Sequence, residues 1–314
     1  MKELIIATRG SKLALWQSRY IKAKLEERYP NINVRLNIMK TKGDKILDTP
    51  LAKIGGKGLF TKELEDAMLK GEAHIAVHSL KDVPVIFPKG LMLGAITKRE
   101  DVRDAMLSQK YENIDALPKN AVVGTTSLRR RMQLLHVRPD LTIKNLRGNI
   151  NTRIEKLKKG EFDAVILAAA GIKRLELENE VKYFSPLDTD FMIPAMGQAA
   201  LGIEAVDSAE ILEIIDFLND DDCVVETRVE RDFVKKLEGG CQVPIGVNAK
   251  TDKNSIYVKA VVGLPNGKEL LHVKIETNRE NYKNAGNELA DIIIAKGAKN
   301  ILARAEKMAL EAIF

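Results

Sequence analysis

Cysteine is scarce in this 314-residue chain, which has only two, and long apolar runs are absent. Two cysteines in a chain of this length do not make a disulfide framework, so we expect both thiols to be reduced. No stretch approaches the roughly 20 apolar residues that a membrane span needs. The apolar run near the first residue is interrupted at Arg9 and is too short for the core of a signal peptide. These absences predict a cytoplasmic protein without a membrane anchor.

Aromatic residues are also few, at 5% of the chain, whereas basic residues outnumber acidic ones by 50 to 44. The net charge of +6 and the isoelectric point near 9.1 favour anionic partners, either nucleic acid or acidic small molecules. The shortage of aromatic rings leaves little for base stacking. The basic residues recur singly beside glycine, serine and threonine at the ends of apolar segments. That pattern is typical of a cleft that binds carboxylates or phosphates.

Several short motifs that identify common sites are missing as well. The chain has no Walker loop, no GxGxxG and no GxSxG. His74 and His78 are four residues apart, but they lie on a predicted strand without a cluster of further ligands, so we expect no metal site. The glycine-rich segment 55–58, with Lys53 and Lys57, lacks the GKS or GKT ending of a phosphate loop and favours a mobile basic lid.

Short apolar segments alternate with amphipathic helical segments, first from residue 4 and again from about residue 121. This alternation predicts two α/β units, each with a parallel sheet covered by helices. After the polar segment 219–222, a helix is followed by three strands and two helices, which predicts a small α+β unit. We therefore expect an α/β protein of three domains with a hinged cleft between the first two. The predicted domains are 1–98 with 199–219, 99–198, and 220–314.

Three predicted junctions between a strand and a helix, at 9–11, 125–131 and 146–153, combine arginine with glycine or hydroxyl side chains. Helix N-termini bind anions because their first N–H groups lack partners, and arginine adds bidentate contacts with carboxylates. Arginine is unfavourable against the helix dipole at such a position, so the basic turn at 129–131 needs a reason. An ordinary capped helix with a solvated basic turn is the alternative. Three junctions of one kind favour convergence on one polyanionic ligand.

The segment His78–Pro84 places a single acid, Asp82, beside Lys81 at the end of a predicted strand. A surface pair of these two residues would contribute little. Among cationic groups, however, an ionised carboxylate could stabilise a developing cation or accept an N–H hydrogen bond. Asp82 is therefore a candidate catalytic residue.

Cys241 follows two glycines and precedes Gln-Val-Pro, between a helical pattern and a β pattern. Free cysteine is among the most buried residue types, so a purely structural role is one interpretation. The other interpretation is a thiol that a tight glycine loop exposes for a chemical reaction.

Taken together, these motifs resemble the hydroxymethylbilane synthase, or porphobilinogen deaminase, family nearly from end to end. The resemblance is carried by segments 6–9, 13–17, 43–44, 51–60, 76–84, 124–130, 146–149, 194–198 and 238–244. It implies a transferase of porphyrin and heme biosynthesis that joins four porphobilinogen molecules into the linear tetrapyrrole hydroxymethylbilane and releases four ammonia molecules. It also implies a dipyrromethane cofactor fixed by a thioether, and two domains that are similar to periplasmic binding proteins.

The resemblance also implies a role for individual residues. Asp82 would be the catalytic carboxylate that faces pyrrole nitrogens, and Cys241 would be the point of cofactor attachment. The implied cofactor-binding residues are Lys81, Asp82, Thr125, Ser127, Arg129, Arg130, Arg147 and Gly148. The implied substrate-binding residues are Arg9, Ser11, Arg147, Arg153, Arg174 and Gln198. Lys53, Lys57 and Phe60 would lie in the mobile loop of the family.

One departure from the family pattern is Ala199, where glycine is expected after Gln198. Two other interpretations compete with the enzyme. A non-enzymatic, two-lobed binding protein for an acidic small molecule shares the predicted fold, but the missing signal peptide and Cys241 argue against it. A nucleic-acid-binding protein would explain the basic charge, but no recognised nucleic-acid motif is present. We expect a monomer whose partner is porphobilinogen, without nucleic acid or a membrane.

Overall fold

The computed structural model describes residues 1–45, 60–239 and 243–311. They fold into two compact units. The first comprises residues 1–45, 60–100 and 199–224, and the second comprises residues 101–198, 225–239 and 243–311. Within these ranges, no helix combines the length and the apolar character needed to cross a bilayer.

The strands and helices are numbered here in chain order. The strands are β1 (Glu3–Arg9), β2 (Asn33–Met39), β3 (Ile75–Ser79), β4 (Leu91–Ile96), β5 (Asp104–Ser108), β6 (Val122–Gly124), β7 (Thr142–Lys144), β8 (Ala164–Ala168), β9 (Tyr183–Pro186), β10 (Leu201–Val206), β11 (Ile245–Asp252), β12 (Ser255–Gly263) and β13 (Leu270–Asn278). The helices are α1 (Lys12–Arg28), α2 (Lys42–Lys45), α3 (Lys62–Leu69), α4 (Leu128–Val137), α5 (Ile150–Lys158), α6 (Ala169–Arg174), α7 (Ala209–Ile215), α8 (Asp221–Lys236), α9 (Tyr282–Ala295) and α10 (Ala298–Glu311).

The first unit is built on a sheet with the strand order β2-β1-β3-β10-β4. β1 runs parallel to β2 and β3, whereas β10 is antiparallel to β3 and β4. Alternate residues of β1 pack on opposite faces: Ile6 lies in one core with Ile21 of α1, and Ile5 lies in another with Leu64 of α3. Because both faces are covered, β1 and β3 are nearly continuous apolar runs.

The second unit contains a sheet with the order β7-β6-β8-β5-β9, in which β6 is parallel to β7 and β8 and β5 is antiparallel to β8 and β9. A separate antiparallel sheet, β11-β12-β13, belongs to the same unit. Helices α8 and α9 approach closely at Gly286, where a Cβ would lie 2.2 Å from the carbonyl oxygen of Val229. Only glycine therefore fits at this crossing.

The predicted α/β class with a small α+β region is confirmed, but two expectations are wrong in detail. Both large sheets are mixed rather than parallel, and β4, β5 and β9 were not predicted. In addition, α8 begins at Asp221, inside the predicted polar break, because acidic residues are favourable in a first helical turn. The three-domain division and the hinged cleft stay predictions.

Candidate functional site

The turn that follows β3 carries Lys81 and Asp82. It is a single 3-10 turn, Leu80–Asp82, held in place at both ends. The N–H of Leu80 donates to the carbonyl oxygen of Ala200 at 3.0 Å, and the N–H of Val83 donates to that of Leu80 at 3.0 Å. Leu80 and Val83 are buried, Lys81 is half-buried and Asp82 is exposed. The turn therefore presents the Asp82 carboxylate on an anchored backbone.

Arg9 and Ser11 lie at the same edge of this sheet, because β1 and β3 are parallel neighbours whose carboxyl ends coincide. The Arg9 guanidinium lies over the ring of Phe60, 4.3 Å from its centroid. Ser11 caps α1, and its hydroxyl accepts from the N–H of Ala14 at 3.3 Å. The side-chain amide of Gln17 donates to the hydroxyl of Ser79 at 2.8 Å and ties α1 to the end of β3.

The start of α4 brings Ser127, Arg129 and Arg130 together in the second unit. Ser127 caps the helix, and its hydroxyl accepts from the N–H of Arg130 at 3.4 Å. Both arginines are buried, with only 4% and 6% of their surfaces exposed. The basic first turn is therefore not a solvated one.

Asp104, at the start of β5, binds both of these arginines and is itself fully buried. Its Oδ2 lies 2.7 Å from Nη1 of Arg129, and its Oδ1 accepts from Nε and Nη2 of Arg130 at 3.0 and 2.7 Å. The side-chain amide of Gln198, also fully buried, donates to Oδ1 at 3.1 Å. Asp104 explains why arginine is tolerated against the helix dipole here. Asp104 was not among the predicted site residues.

One carboxylate neutralises only one of the two guanidiniums, so this cluster holds an excess of one positive charge. Burial lowers the pKa of Arg129, and the neighbouring charge of Arg130 lowers it further, while Asp104 opposes both effects. A guanidinium nevertheless remains protonated in proteins. A further anion would balance this charge.

The end of β6 is joined to the segment that carries Arg147. The buried hydroxyl of Thr125 accepts from the N–H of Ser127 at 3.2 Å. The hydroxyl of Thr126 donates to the carbonyl oxygen of Leu146 at 2.6 Å and accepts from its N–H at 3.2 Å. These bonds fix the two predicted anion-binding junctions of this unit relative to each other.

Gly148 has a φ of +105°, a left-handed conformation that favours glycine. A Cβ there would lie 2.8 Å from Cγ2 of Thr152. Asn149 then caps α5, and Nε of Arg153 donates to the carbonyl oxygen of Gly148 at 2.8 Å. Arg147 and Arg153 are both half-buried, so each is still accessible to a ligand.

Glu230 of α8 is a second residue that the sequence analysis missed. Its buried carboxylate accepts from the N–H of Gly197 at 2.7 Å and from the N–H of Ala249 at 2.8 Å. It thereby joins the segment before Gln198 to β11. Contacts between residues so distant in sequence leave no local pattern, so neither Glu230 nor Asp104 could be recognised from spacing.

The remaining predicted site residues divide into two groups. Arg174 is the last residue of α6 and is half-buried. Lys53, Lys57 and Cys241 lie outside the described residues. The assignment of every site residue to cofactor or substrate stays a prediction.

Comparison with known proteins gives two matching family models. One, described as porphobilinogen deaminase, dipyromethane cofactor binding domain, matches residues 4–213. The other, described as porphobilinogen deaminase, C-terminal domain, matches residues 224–295.

Curated relatives match almost the whole chain. The porphobilinogen deaminase of Sulfurimonas denitrificans is 62% identical over 309 residues, covering 98% of this chain and 99% of that protein. That of Aliarcobacter butzleri is 61% identical over 312 residues, covering 99% and 100%.

Solved structures that are similar in fold are much more distant in sequence. A TRAP periplasmic solute binding protein from Desulfovibrio salexigens is 13% identical, with a TM-score of 0.42, and the match covers 70% of this chain and 73% of that one. The periplasmic VFT2 domain of BvgS from Bordetella pertussis is 14% identical, with a TM-score of 0.41, covering 68% and 86%.

Proposed function

The chain belongs to the porphobilinogen deaminase family, and from that premise we propose which of its side chains carry the reaction. It is a transferase of porphyrin biosynthesis that joins four porphobilinogen molecules and releases hydroxymethylbilane with the uptake of water. Its cofactor is dipyrromethane. The alternative of a non-enzymatic binding protein is not favoured, because relatives over nearly the full chain carry the name of the enzyme.

The residues at the start of α4 fit a cofactor that bears carboxylates. Arg129 and Arg130 share one carboxylate, that of Asp104, so one positive charge of the buried cluster is left for another anion to neutralise. We assign the cofactor carboxylates to this cluster, together with Lys81, Thr125, Ser127 and the Arg147–Gly148 pair. When bound through the proposed thioether to Cys241, dipyrromethane supplies the pyrrole carbon to which the first substrate is joined.

Asp82 is the catalytic residue in this proposal, and the observation that carries it is the exposed carboxylate on an anchored turn at the same sheet edge as Arg9. Loss of ammonia from porphobilinogen leaves a cation on the substrate. A fixed carboxylate beside the pyrrole N–H stabilises that cation more than it stabilises the neutral substrate, and so lowers the barrier.

The substrate side chains end in carboxylates, and the chain has basic groups to hold them. We assign this role to Arg9, Arg153 and Arg174, with Ser11, Arg147 and Gln198 completing the substrate-binding set. Arginine suits it because its fork of N–H groups matches a carboxylate in a bidentate way. Each added unit increases the negative charge of the product chain, which explains why the set is large. Lys53, Lys57 and Phe60 remain the predicted mobile loop.

The experiment that tests the cofactor and its attachment is the intact mass of the denatured protein, compared with that of a Cys241→Ser variant. We expect an excess equal to two porphobilinogen units less two ammonia molecules, absent from the variant. If the parent shows only the mass of the polypeptide, porphobilinogen is added and the intact mass is measured again. A mass that still does not change would contradict the proposal, since a thioether survives unfolding.

We also propose that the protein is a cytoplasmic monomer that uses neither nucleic acid nor a membrane. The molar mass from light scattering, measured as the protein elutes from a size-exclusion column, tests whether it is a monomer. Binding to DNA or RNA that falls steeply with salt would contradict the second part, because phosphate contacts release counterions.

A further inference from the structure

A cluster of three titratable side chains lies in the core of the first unit, next to β3, the strand that leads into the turn with Asp82. Nε2 of His78 on β3 lies 3.0 Å from Oε2 of Glu204 on β10, and their side chains are 5% and 0% exposed. Glu65 of α3 is 8% exposed and packs against the same face of the sheet, close enough for the charges of Glu204 and His78 to act on it. The proposed reaction uses none of the three.

The cluster contains two carboxylic acids but only one imidazole. Oε1 of Glu65 and Oε1 of Glu204 are buried and have no hydrogen-bond partner within the described part of the chain. Two ionised carboxylates would leave at least one negative charge uncompensated in the interior, which is very unfavourable. A proton on one of the acids removes this cost.

Glu65 is the acid whose pKa is raised by its surroundings. Burial raises its pKa most, and the charge of Glu204 raises it further, with a smaller contribution from Asp66 on the same helix. The Thr61 hydroxyl and His78 act in the opposite direction without cancelling the rise.

The pair is mechanically connected to the catalytic turn. β10 passes His78 at Gly202, and a Cβ on Gly202 would lie 2.8 Å from Cδ1 of Leu80 and 3.4 Å from Cγ2 of Val83. Leu80 also donates its N–H to Ala200, just before β10. A shift of β10 against β3 therefore moves both residues that anchor the turn.

We propose that Glu65, His78 and Glu204 form a positioning cluster, in which the His78–Glu204 pair fixes β10 against β3 and thereby holds Asp82 in its productive place. This inference rests on the proposed catalytic role of Asp82. The three residues do not touch the substrate. They act through the backbone of residues 79–83.

Kinetics of paired variants test the role of His78 and Glu204. Glu204→Gln and His78→Gln each replace one partner of the buried 3.0 Å contact and leave the other without its matched partner, so we expect kcat to fall on the order of 10- to 100-fold with little change in KM. The double variant places two amides opposite each other and should recover most of the loss. His74→Gln is the matched control. His74 directly precedes β3, its Nδ1 accepts from the N–H of Ile5, and its replacement should keep the parent kcat. Equal losses in the single and double variants would overturn the proposal.

Glu65→Gln tests the proton itself by two readouts. Because the folded state binds this proton more tightly than the unfolded state does, its contribution to stability is present below the ordinary glutamate pKa and is lost as pH rises through the raised pKa. The unfolding free energy of Glu65→Gln relative to the parent should therefore increase with pH. The infrared carbonyl band of a protonated carboxyl group should be present in the parent and absent from the variant. A pH-independent stability difference, or no such band, would overturn the assignment.

The two proposals can fail separately. If Asp82→Asn turns over normally, the catalytic role falls, while the infrared and stability results still decide whether the cluster holds its proton. If Asp82→Asn is inactive but Glu204→Gln keeps the parent kcat, the positioning role alone is wrong. The infrared measurement uses the intact parent, so it stands even if His78→Gln fails to fold.

Discussion

The two units of this protein each bury a small ionic cluster beside predicted site residues, and the clusters are unbalanced in opposite senses. In the first unit, Glu65 and Glu204 share one imidazole, that of His78. In the second unit, Arg129 and Arg130 share one carboxylate, that of Asp104. One cluster has an excess of acid and the other an excess of base.

The difference lies in how each excess can be removed. A glutamic acid becomes neutral by taking up a proton, and burial alone can raise its pKa enough for that. An arginine cannot lose its proton in a protein, so its excess charge needs an anion from elsewhere. The acidic cluster can therefore be complete within the chain and serve a positioning role. Within the described residues the basic cluster keeps one uncompensated charge, and the proposed cofactor carboxylates would balance it.

The largest expected effect comes from Asp104→Asn, which removes the only acidic partner of the two arginines within the described ranges. Two guanidiniums would remain buried without a counter-charge from the protein, so we expect a loss of about 3–5 kcal/mol in unfolding free energy. The loss should hardly depend on pH around neutrality, because a guanidinium stays protonated in proteins. Chemical denaturation at several pH values measures this.

Asp140→Asn is the matched control for Asp104→Asn. Asp140 also pairs with an arginine, Arg138, at 2.7 Å, but both side chains are partly accessible to water. Exposed pairs contribute little, so stability should be nearly unchanged. Equal effects of the two substitutions would contradict the contrast between a buried and a solvated ion pair.

Asp82→Asn should give the next largest effect, on rate rather than on stability. The amide keeps the size of the side chain but removes the charge, and loss of one such electrostatic contact costs roughly 10²–10³-fold in kcat. The side chain is exposed on its turn, so the unfolding transition should not move. Formation of hydroxymethylbilane in single-turnover and steady-state assays measures the effect, and near-normal turnover would exclude the role of Asp82.

Features fixed by local sequence were predictable. The helix starts at Ser127 and Asn149 were recognised because a capping side chain bonds to an N–H only three residues on. The end of β3 and the turn after it were recognised because the apolar residues of the strand give way to the charged residues Lys81 and Asp82. These are the positions where the predicted site residues and the observed elements coincide.

Features fixed by distant contacts were not predictable. The strand β5 is short and pairs with β8 and β9, more than 50 residues further along the chain. Asp104 at its start looked like one more charge in a polar segment, because its partners at 129, 130 and 198 come near only in the folded sheet. The mixed strand directions have the same origin, since β10 enters the first sheet only after the chain has passed through residues 101–198.

Arg153→Leu should have a smaller effect than Asp82→Asn, and on chain growth. Loss of a charge-assisted hydrogen bond to a product carboxylate costs about 1.5–3 kcal/mol, so elongation should slow roughly 10- to 100-fold at the affected step. Mass spectrometry of the denatured protein during turnover should then show accumulated intermediates. Lys158→Leu is the control, because it removes a like charge from the surface of the same helix, where Lys158 pairs with Glu180. Unchanged product yield for Arg153→Leu would count against its substrate-binding role.

Ala199→Gly should give the smallest effect. Ala199 lies between Gln198, which donates to Asp104 in the basic cluster, and Glu204, which pairs with His78 in the acidic cluster. Ala199 has a φ of +76°, in the left-handed region. In this region an L-residue is destabilised by about 1–2 kcal/mol. Glycine avoids that strain but loses roughly 0.5–1 kcal/mol more in chain entropy on folding, so we expect a net gain in stability near 1 kcal/mol. Ala200→Gly is the control, because the adjacent residue has no positive φ and should lose stability instead.

If Ala199→Gly gains stability and keeps kcat, the strain at this position is incidental to both clusters. If it gains stability but loses kcat, the strained backbone at Ala199 itself contributes to the arrangement of β10, which carries Glu204.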